Sequence, residues 1–548
     1  MKNICLLLVL IWIQICSDAW GNSQFSCLLQ FDKGSLCVND TIDHNIHKSI
    51  VSLSDLTLTN VDNLTSLPYK YLLISVPFNS KDYTLKIDKI KTTTIPINYP
   101  VIRGHDYEYS SIANEYETNT CRDSGINVAA TAQIIDTGIM RGFNRVVSVV
   151  VYPVGYSESN LRLDLIEECR LELNWTIDDS LWNEAIIPGH DKTVNISVND
   201  VKALVTNPES VELYHKQLKQ KQRASLPQES DYFQYIIVTS KQFRNCFDRL
   251  IALRKLRGIS TSIFYIEDIL SDNRFKDGDL ISGLNDSAGK LRAFLTYAYK
   301  NYGTEYVLLA GKYPDMPVRM VRYTKSNNGK TDTIRYTSDI YFGELNASWN
   351  KTDETGATLE SSVLGNNSYE LKIGRLTFSS KKEIDAYVDK LFYYELNPGK
   401  GDIDYLGNAF ISVSKEMKDG YLSSNQRMYR QAYSTLRELF QTASDYPTGH
   451  DVIESLNSQQ WGYVDFQGHG NPQGVQTTDE YDDGKPYRWY GINALDKERR
   501  SLVDENQNGL DNWNNKYYPN WSISMSCTLS PFIHDREFTY TFADSYLL

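Results

Sequence analysis

After Asp231 the chain repeats one pattern seven times: a short apolar run of strand length, followed by a helical stretch or a polar loop. The runs are Tyr235 to Val238, Thr261 to Ile266, Tyr306 to Ala310, Leu371 to Leu376, Ala409 to Val413, Gly462 to Phe466 and Trp521 to Met525. Helical periodicity falls at 241–257, 285–302, 381–396 and 425–443. Strands joined through helices pair in parallel, and a parallel sheet needs cover on both faces. The expected class is therefore α/β, a mostly parallel sheet flanked by helices. In such sheets ligands and chemistry gather beyond the carboxyl ends of the strands. No Gly-x-Gly-x-x-Gly follows the first strand, which argues against a dinucleotide-binding dehydrogenase.

The preceding part reads differently. From 22 to 210, Val/Ile/Tyr/Leu-rich runs such as Arg145 to Tyr152 and Leu161 to Trp175 alternate with Asn, Gly, Asp and Pro, as in an all-β domain. The segment 211–230 carries Lys216, Lys219, Lys221 and Arg223 and ends in Ser-Leu-Pro-Gln-Glu-Ser; it reads as an exposed linker and a processing site. At the start, Lys2, the apolar stretch Ile4 to Ile15 and the small residues Ala19 and Gly21 form a secretory signal over 1–21, so a secreted or cell-surface protein is expected. Beyond it no apolar run approaches the roughly 20 residues of a bilayer span. The net charge of −13 disfavours nucleic acid as a partner. In the oxidising exterior, Cys27, Cys37, Cys121 and Cys169 are available for disulfides in any of three pairings. Cys246, among Phe243, Phe247 and Leu250, reads as a small core residue.

Two of the expected strand ends carry reactive side chains. One reads Val464-Asp465-Phe466-Gln467-Gly468-His469-Gly470, the other Ile523-Ser524-Met525-Ser526-Cys527-Thr528. A neighbouring imidazole lowers a thiol's pKa and can afterwards protonate a leaving amine, so Cys527 and His469 suit thiol-based acyl transfer. Glycines on both sides of His469 would allow positive φ and a close substrate approach. The N–H groups of Gly470 and Cys527 are candidate oxyanion donors. The other histidines of this half are His450, in a Pro-Thr-Gly-His turn, and His534, in a Phe-Ile-His-Asp stretch. They are weaker candidates for the base.

Together, the Gly-His-Gly loop, the later strand ending in Cys527, the opening Asp231 to Gly258 and Gly374-Arg375-Leu376 resemble the gingipain-like cysteine peptidases, family C25 of the caspase-like clan. The stretch Met140 to Tyr156 resembles the β-rich propeptide of the same family. The resemblance implies a caspase-like catalytic domain over 231–548, in two subdomains of about 231–400 and 401–548, made as a zymogen. It implies a cysteine endopeptidase acting on protein or peptide substrates, with Cys527 as nucleophile, His469 as general acid and base, and its own propeptide as partner. It also implies an acidic residue behind the histidine, and the segment Leu406 to Glu416 places Glu416 in that role. Relatives select Arg or Lys through an acidic pocket, but Arg427 stands near that position here. The chain ends 21 residues after Cys527, short of the further pocket elements the resemblance implies. A sorting transpeptidase using the same dyad and an inactive surface or adhesion protein are the alternatives.

No cofactor is needed for this chemistry. A structural calcium ion is suggested by Asp504, Asn506 and Asn508 at loop positions one, three and five, Gly509 at six, the Leu510 carbonyl at seven, and Asp511 beside it. Asn515 stands where the bidentate Glu would be. A weaker candidate surrounds Asp339 and Glu344. Nine Asn-x-Ser/Thr sequons would matter in a eukaryotic secretory route.

Overall fold

The computed structural model describes residues 23–43, 46–54, 56–59, 64–103, 131–222, 231–327, 330–351, 356–359, 369–414, 417–418, 421–440, 447–479, 489–496, 507–526 and 540–547. The chain divides into two compact units, Met1–Ser230 with Ser361–Glu370, and Asp231–Glu360 with Leu371–Leu548. No helix among the described residues is long and apolar enough to cross a membrane. Residues 1–22, which contain the signal-like segment, lie outside the described residues, as does Cys121.

The first unit is built on antiparallel sheets. The long strand Arg162–Ile177 pairs with Gln24–Gln30 on one side and Ser80–Pro96 on the other. Leu163 and Leu165, then Cys169, Leu171, Leu173 and Trp175, turn inward at positions of one parity, so the strand buries a single face. A second sheet pairs Asn144–Val151 with Pro68–Ser75 and Ala132–Met140. Cys27 and Cys169 are free thiols in this core, and burial pushes them up, to about 12 and about 11. Cys37 is free and exposed. Cys27 and Cys169 serve as small apolar residues of this core.

Two expectations for this region need correction. The part of the expected linker up to residue 222 is a helix, Pro208–Gln222, which buries Val211 and Leu218. It follows the helix Asp191–Lys202, whose Val194, Val198 and Val201 join the same cluster with Phe143 and Val146. The many lysines of this stretch imitate linker composition, while the seven-residue spacing of Val211 and Leu218 is helical. The unit is thus β-rich with two helices at its end, not all-β.

In the second unit, strands β1 Tyr235–Thr239, β2 Thr261–Tyr265, β3 Tyr306–Ala310 and β4 Lys372–Leu376 form a parallel sheet of order β2-β1-β3-β4. Strands β5 Asn408–Val413, β6 Thr435–Phe440, β7 Tyr463–Gln467 and β8 Trp521–Met525 form another, of order β6-β5-β7-β8. The α/β class holds, with the parallel strands divided between two sheets. Helices α1 Asp248–Leu256, α2 Ser287–Tyr302, α3 Lys381–Leu396, α4 Gln426–Ala432, α5 Gly449–Ser458 and α6 Phe542–Leu547 accompany them. The helix expected over 425–443 stops at Ala432, and β6 follows as an edge strand: Leu436 and Phe440 pack beside the cluster holding Tyr429 and Tyr463. Between β3 and β4, the chain inserts a sheet of its own, including the hairpin Met320–Asn327 with Lys330–Thr337.

Buried charge organises the first half of this unit. The Arg292 guanidinium, 1% exposed, pairs with Asp279, 4% exposed, and donates to the carbonyls of Glu344 at 2.5 Å and Ala347 at 2.8 Å. Arg319 grips Asp286 through two hydrogen bonds, and Asp286 also caps α2 by accepting from Gly289 N–H at 2.7 Å. Both guanidiniums lie against the ring of Tyr341, at 4.8 and 4.3 Å, and its hydroxyl donates to Asp279. Arg375 holds Asp339 with two bonds of 2.8 and 2.9 Å. Of the two carboxylates considered for the weaker cation site, Asp339 is therefore taken up by a guanidinium.

Replacing Arg292 leaves Asp279 buried without its partner, and such a broken pair costs about 3–5 kcal/mol. Arg292→Met is expected to lower the urea midpoint accordingly, and adding Asp279→Asn should restore part of the loss by removing the stranded charge. If the double variant were no more stable than Arg292→Met, the pair would not be the source of the effect.

Candidate active site

Parallel pairing sets the ends of three strands level. Val413 lies opposite Gln467, and Gln467 opposite Met525. The Ser414 N–H extends the ladder by donating to Gln467 O at 2.7 Å. Beyond these ends, the sequence continues to Glu416 from β5, to His469 from β7 and to Cys527 from β8. The described residues therefore bring together the three strand ends that lead to the proposed triad. His469 is half-buried, with its carbonyl accepting from Gln476 N–H at 2.8 Å. Glu416 and Cys527 lie outside the described residues, as does His534. His450 sits on α5 at 3.5 Å from Glu454. Arg427 is an exposed residue of α4.

The loop carrying His469 turns back tightly. Gly470–Asn471 pairs with Gly474–Asp479, which pairs in turn with Trp489–Asn493. The need for Gly468 is steric, not the positive φ expected from sequence: its backbone is not left-handed, but a Cβ there would lie 2.5 Å from the Gln476 carbonyl and 3.3 Å from Ser414 Cβ. The close approach holds the loop against the end of β5.

Beneath the loop is a polar group that the apolar-run pattern did not single out. Asp465, 1% exposed, points to the face of β7 that carries Tyr463 and Gln467. Its Oδ2 accepts from Tyr429 OH at 2.9 Å and from Gln467 Nε2 at 2.7 Å, and the Tyr429 and Tyr463 hydroxyls lie 3.1 Å apart. Asp465 Oδ1 has no partner among the described residues. Burial raises its carboxyl above the ordinary range, and the two hydrogen bonds oppose that rise. The signal was present in the sequence as one acid in the apolar run Tyr-Val-Asp-Phe.

Of the five positions considered for calcium, Asp504 and Asn506 lie outside the described residues. Asn508 is buried, donating from Nδ2 to Gly491 O at 2.8 Å while its Oδ1 accepts from Asn493. The Leu510 carbonyl accepts from Trp513 N–H at 3.0 Å, and Asp511 Oδ1 accepts from Asp496 N–H at 2.9 Å. These oxygens already cross-link the turn. No group of three or more His, Cys, Asp or Glu able to hold a metal occurs among the described residues. The three described positions do not by themselves form a calcium cradle.

A carboxyl raised in the folded state keeps its proton longer than it does in the unfolded chain. Asp465 therefore makes stability fall as pH rises above the unfolded value of about 4 until its folded pKa is passed. Asp465→Asn retains an oxygen for Tyr429 and Gln467 and removes the charge. It is expected to flatten that decline in urea midpoints measured between pH 4 and 8. A variant less stable than the parent at pH 8 would refute the assignment.

Comparison with known proteins identifies the family. Residues 228–546, more than half of the chain, match peptidase family C25. Gingipain R2 of Porphyromonas gingivalis is 23% identical over 192 residues, which are 34% of this chain and 20% of that protein. Gingipain R1 of the same species is 23% identical over 184 residues, 33% of this chain and 14% of the relative. The chain thus covers about a fifth or less of the length of these curated relatives. Among solved structures, the Arg-specific cysteine proteinase gingipain R aligns at 17% identity over 58% of this chain and 60% of that one, with a TM-score of 0.39. A complex of gingipain pro- and mature domains from P. gingivalis aligns at 17% identity over 57% and 59%, also with a TM-score of 0.39. The chain belongs to peptidase family C25.

Proposed function

We propose that this protein is a cysteine endopeptidase that hydrolyses peptide bonds through Cys527 and His469. The observation that carries the reading is the level ending of β5, β7 and β8 in one parallel register, with Glu416, His469 and Cys527 following in the sequence. Chemistry at adjacent carboxyl ends is what a parallel α/β sheet favours. In the proposed reaction the Cys527 thiolate attacks the scissile carbonyl carbon. The N–H groups of Gly470 and Cys527 stabilise the resulting oxyanion. His469 protonates the nitrogen as the C–N bond breaks, leaving a thioester. Water, deprotonated by the same imidazole, then attacks the thioester and returns the thiol. Glu416 orients the imidazole and stabilises its charged form. No step is routed through a metal ion.

The N-terminal β-rich unit acts as a propeptide in this reading, and the protein is secreted as a zymogen. Because cleavage inside the helix Pro208–Gln222 would require it to unwind, processing falls best after Arg223.

The test is cleavage of a diverse peptide library by the full chain, before and after processing within 223–230, with products read by mass spectrometry. Cys527→Ala and His469→Ala are each expected to lower turnover by about 10²-fold or more, and Glu416→Gln by less than His469→Ala. Hydrolysed ends on the products support the peptidase, whereas fragments joined to an added amine would indicate acyl transfer. Turnover unaffected by Cys527→Ala, or none in any form, would remove the proposal.

A further inference from the structure

Away from the three strand ends, α3, the turn 510–517 and α6 enclose a cavity of about 660 Å³. Its size falls within the range of small-molecule sites. Much of its wall is aromatic: Tyr393 meets Tyr517 edge to face at 5.3 Å, and Trp513 packs on Tyr546 at 5.6 Å. Such walls accept a flat or broad apolar body.

The polar groups in the lining are unbalanced. Lys390 reaches the cavity from α3, and its ammonium donates to Tyr546 O at 3.2 Å. Among the described residues it has no other hydrogen bond and no carboxylate within ion-pair distance, although an ammonium carries three donors. Burial draws its pKa down to about 8, so it remains largely charged at neutral pH. Two further donors of the lining, Trp513 Nε1 and Ser545 Oγ, also lack a partner among the described residues. The two acids of the lining are exposed and already engaged, Asp389 with Arg249 at 2.7 Å and Asp511 with the Asp496 N–H. A cation held partly out of water without a counter-ion is costly. Among the described residues the site offers Lys390 no anionic acceptor.

We propose that the cavity binds a monocarboxylate with an aromatic or broad apolar body, its carboxylate paired with Lys390 and its body lying against Tyr393, Trp513, Tyr517 and Tyr546. Asp389 and Asp511 would repel a second negative charge, which favours a monoanion over a dianion. The proposal is independent of peptidase chemistry.

Calorimetric titration of the full chain with 3-phenylpropionate, beside its neutral amide, tests it. Saturable heat is expected for the acid, with the amide binding roughly tenfold weaker or less well still. Lys390→Met keeps the stem and removes the charge. It is expected to leave the thermal midpoint unchanged or higher, because a desolvated cation is gone, and to abolish the preference for acid over amide. A second measurement needs no substitution: 3-phenylpropionate should slow acetylation of Lys390 relative to the exposed Lys372, which lies outside the lining, read by peptide mass spectrometry, and the amide should not. The proposal is overturned if the parent protein gives no saturable heat with the acid, if Lys390→Met retains the preference, or if the acid leaves Lys390 labelling unchanged.

Discussion

The parallel hydrogen bonding of β7 to β5 on one side and β8 on the other is the constraint on which the site depends. Parallel strands share a direction, so their carboxyl ends meet at one edge; here the register brings Val413, Gln467 and Met525 level. Ser414 continues the pairing, and Gly468 lets the His469 loop press against it without a Cβ in the way. Residues more than a hundred positions apart in sequence are thus led to one place by backbone geometry. Slipping β8 by one residue would turn every side chain on it to the opposite face.

Behind that edge, the C-terminal helix α6 joins the two sheets. Phe542 and Tyr546 pack on Phe466 of β7, and Phe542 N–H donates to Pro472 O at 2.8 Å, just past the His469 loop. On its other side, Asp544 accepts from Thr377 after β4, and Lys390 of α3 bonds to Tyr546 O. A six-residue helix has little stability of its own, so these contacts and the cap between Thr541 and Asp544 must hold it. The loop beside the site and the cavity under α6 are consequently linked through the same few side chains.

Polar groups inside this unit follow two different logics. Arg292, Arg319 and Arg375 are buried with matched carboxylates, and Tyr341 fills the space between the first two. Each charge is compensated, so the network ties the insert after β3 to α2 without leaving a charge stranded. Asp465 and Lys390 are compensated less completely: among the described residues one has an oxygen without a donor, the other donors without an acceptor. Uncompensated buried groups are where a protein departs from its best packing, and they lie near the proposed chemistry and at the cavity respectively.

Sequence alone determined the strand–helix alternation after Asp231, the positions of most of the parallel strands, and the two reactive motifs, because apolar period and Gly-flanked polar residues are local signals. It also carried the family resemblance that the match over 228–546 makes firm. Tertiary structure decided what depends on partners distant in sequence. Thr435–Phe440 became an edge strand because β5 offered it a ladder, although the segment before it is helical. Pro208–Gln222 became a packed helix because Phe143 and Val146 supplied a surface for Val211 and Leu218. Asp465 acquired its role only when Tyr429, from another element, folded over it. Local propensity sets what a segment can form; the burial offered by the rest of the chain selects which of those forms persists.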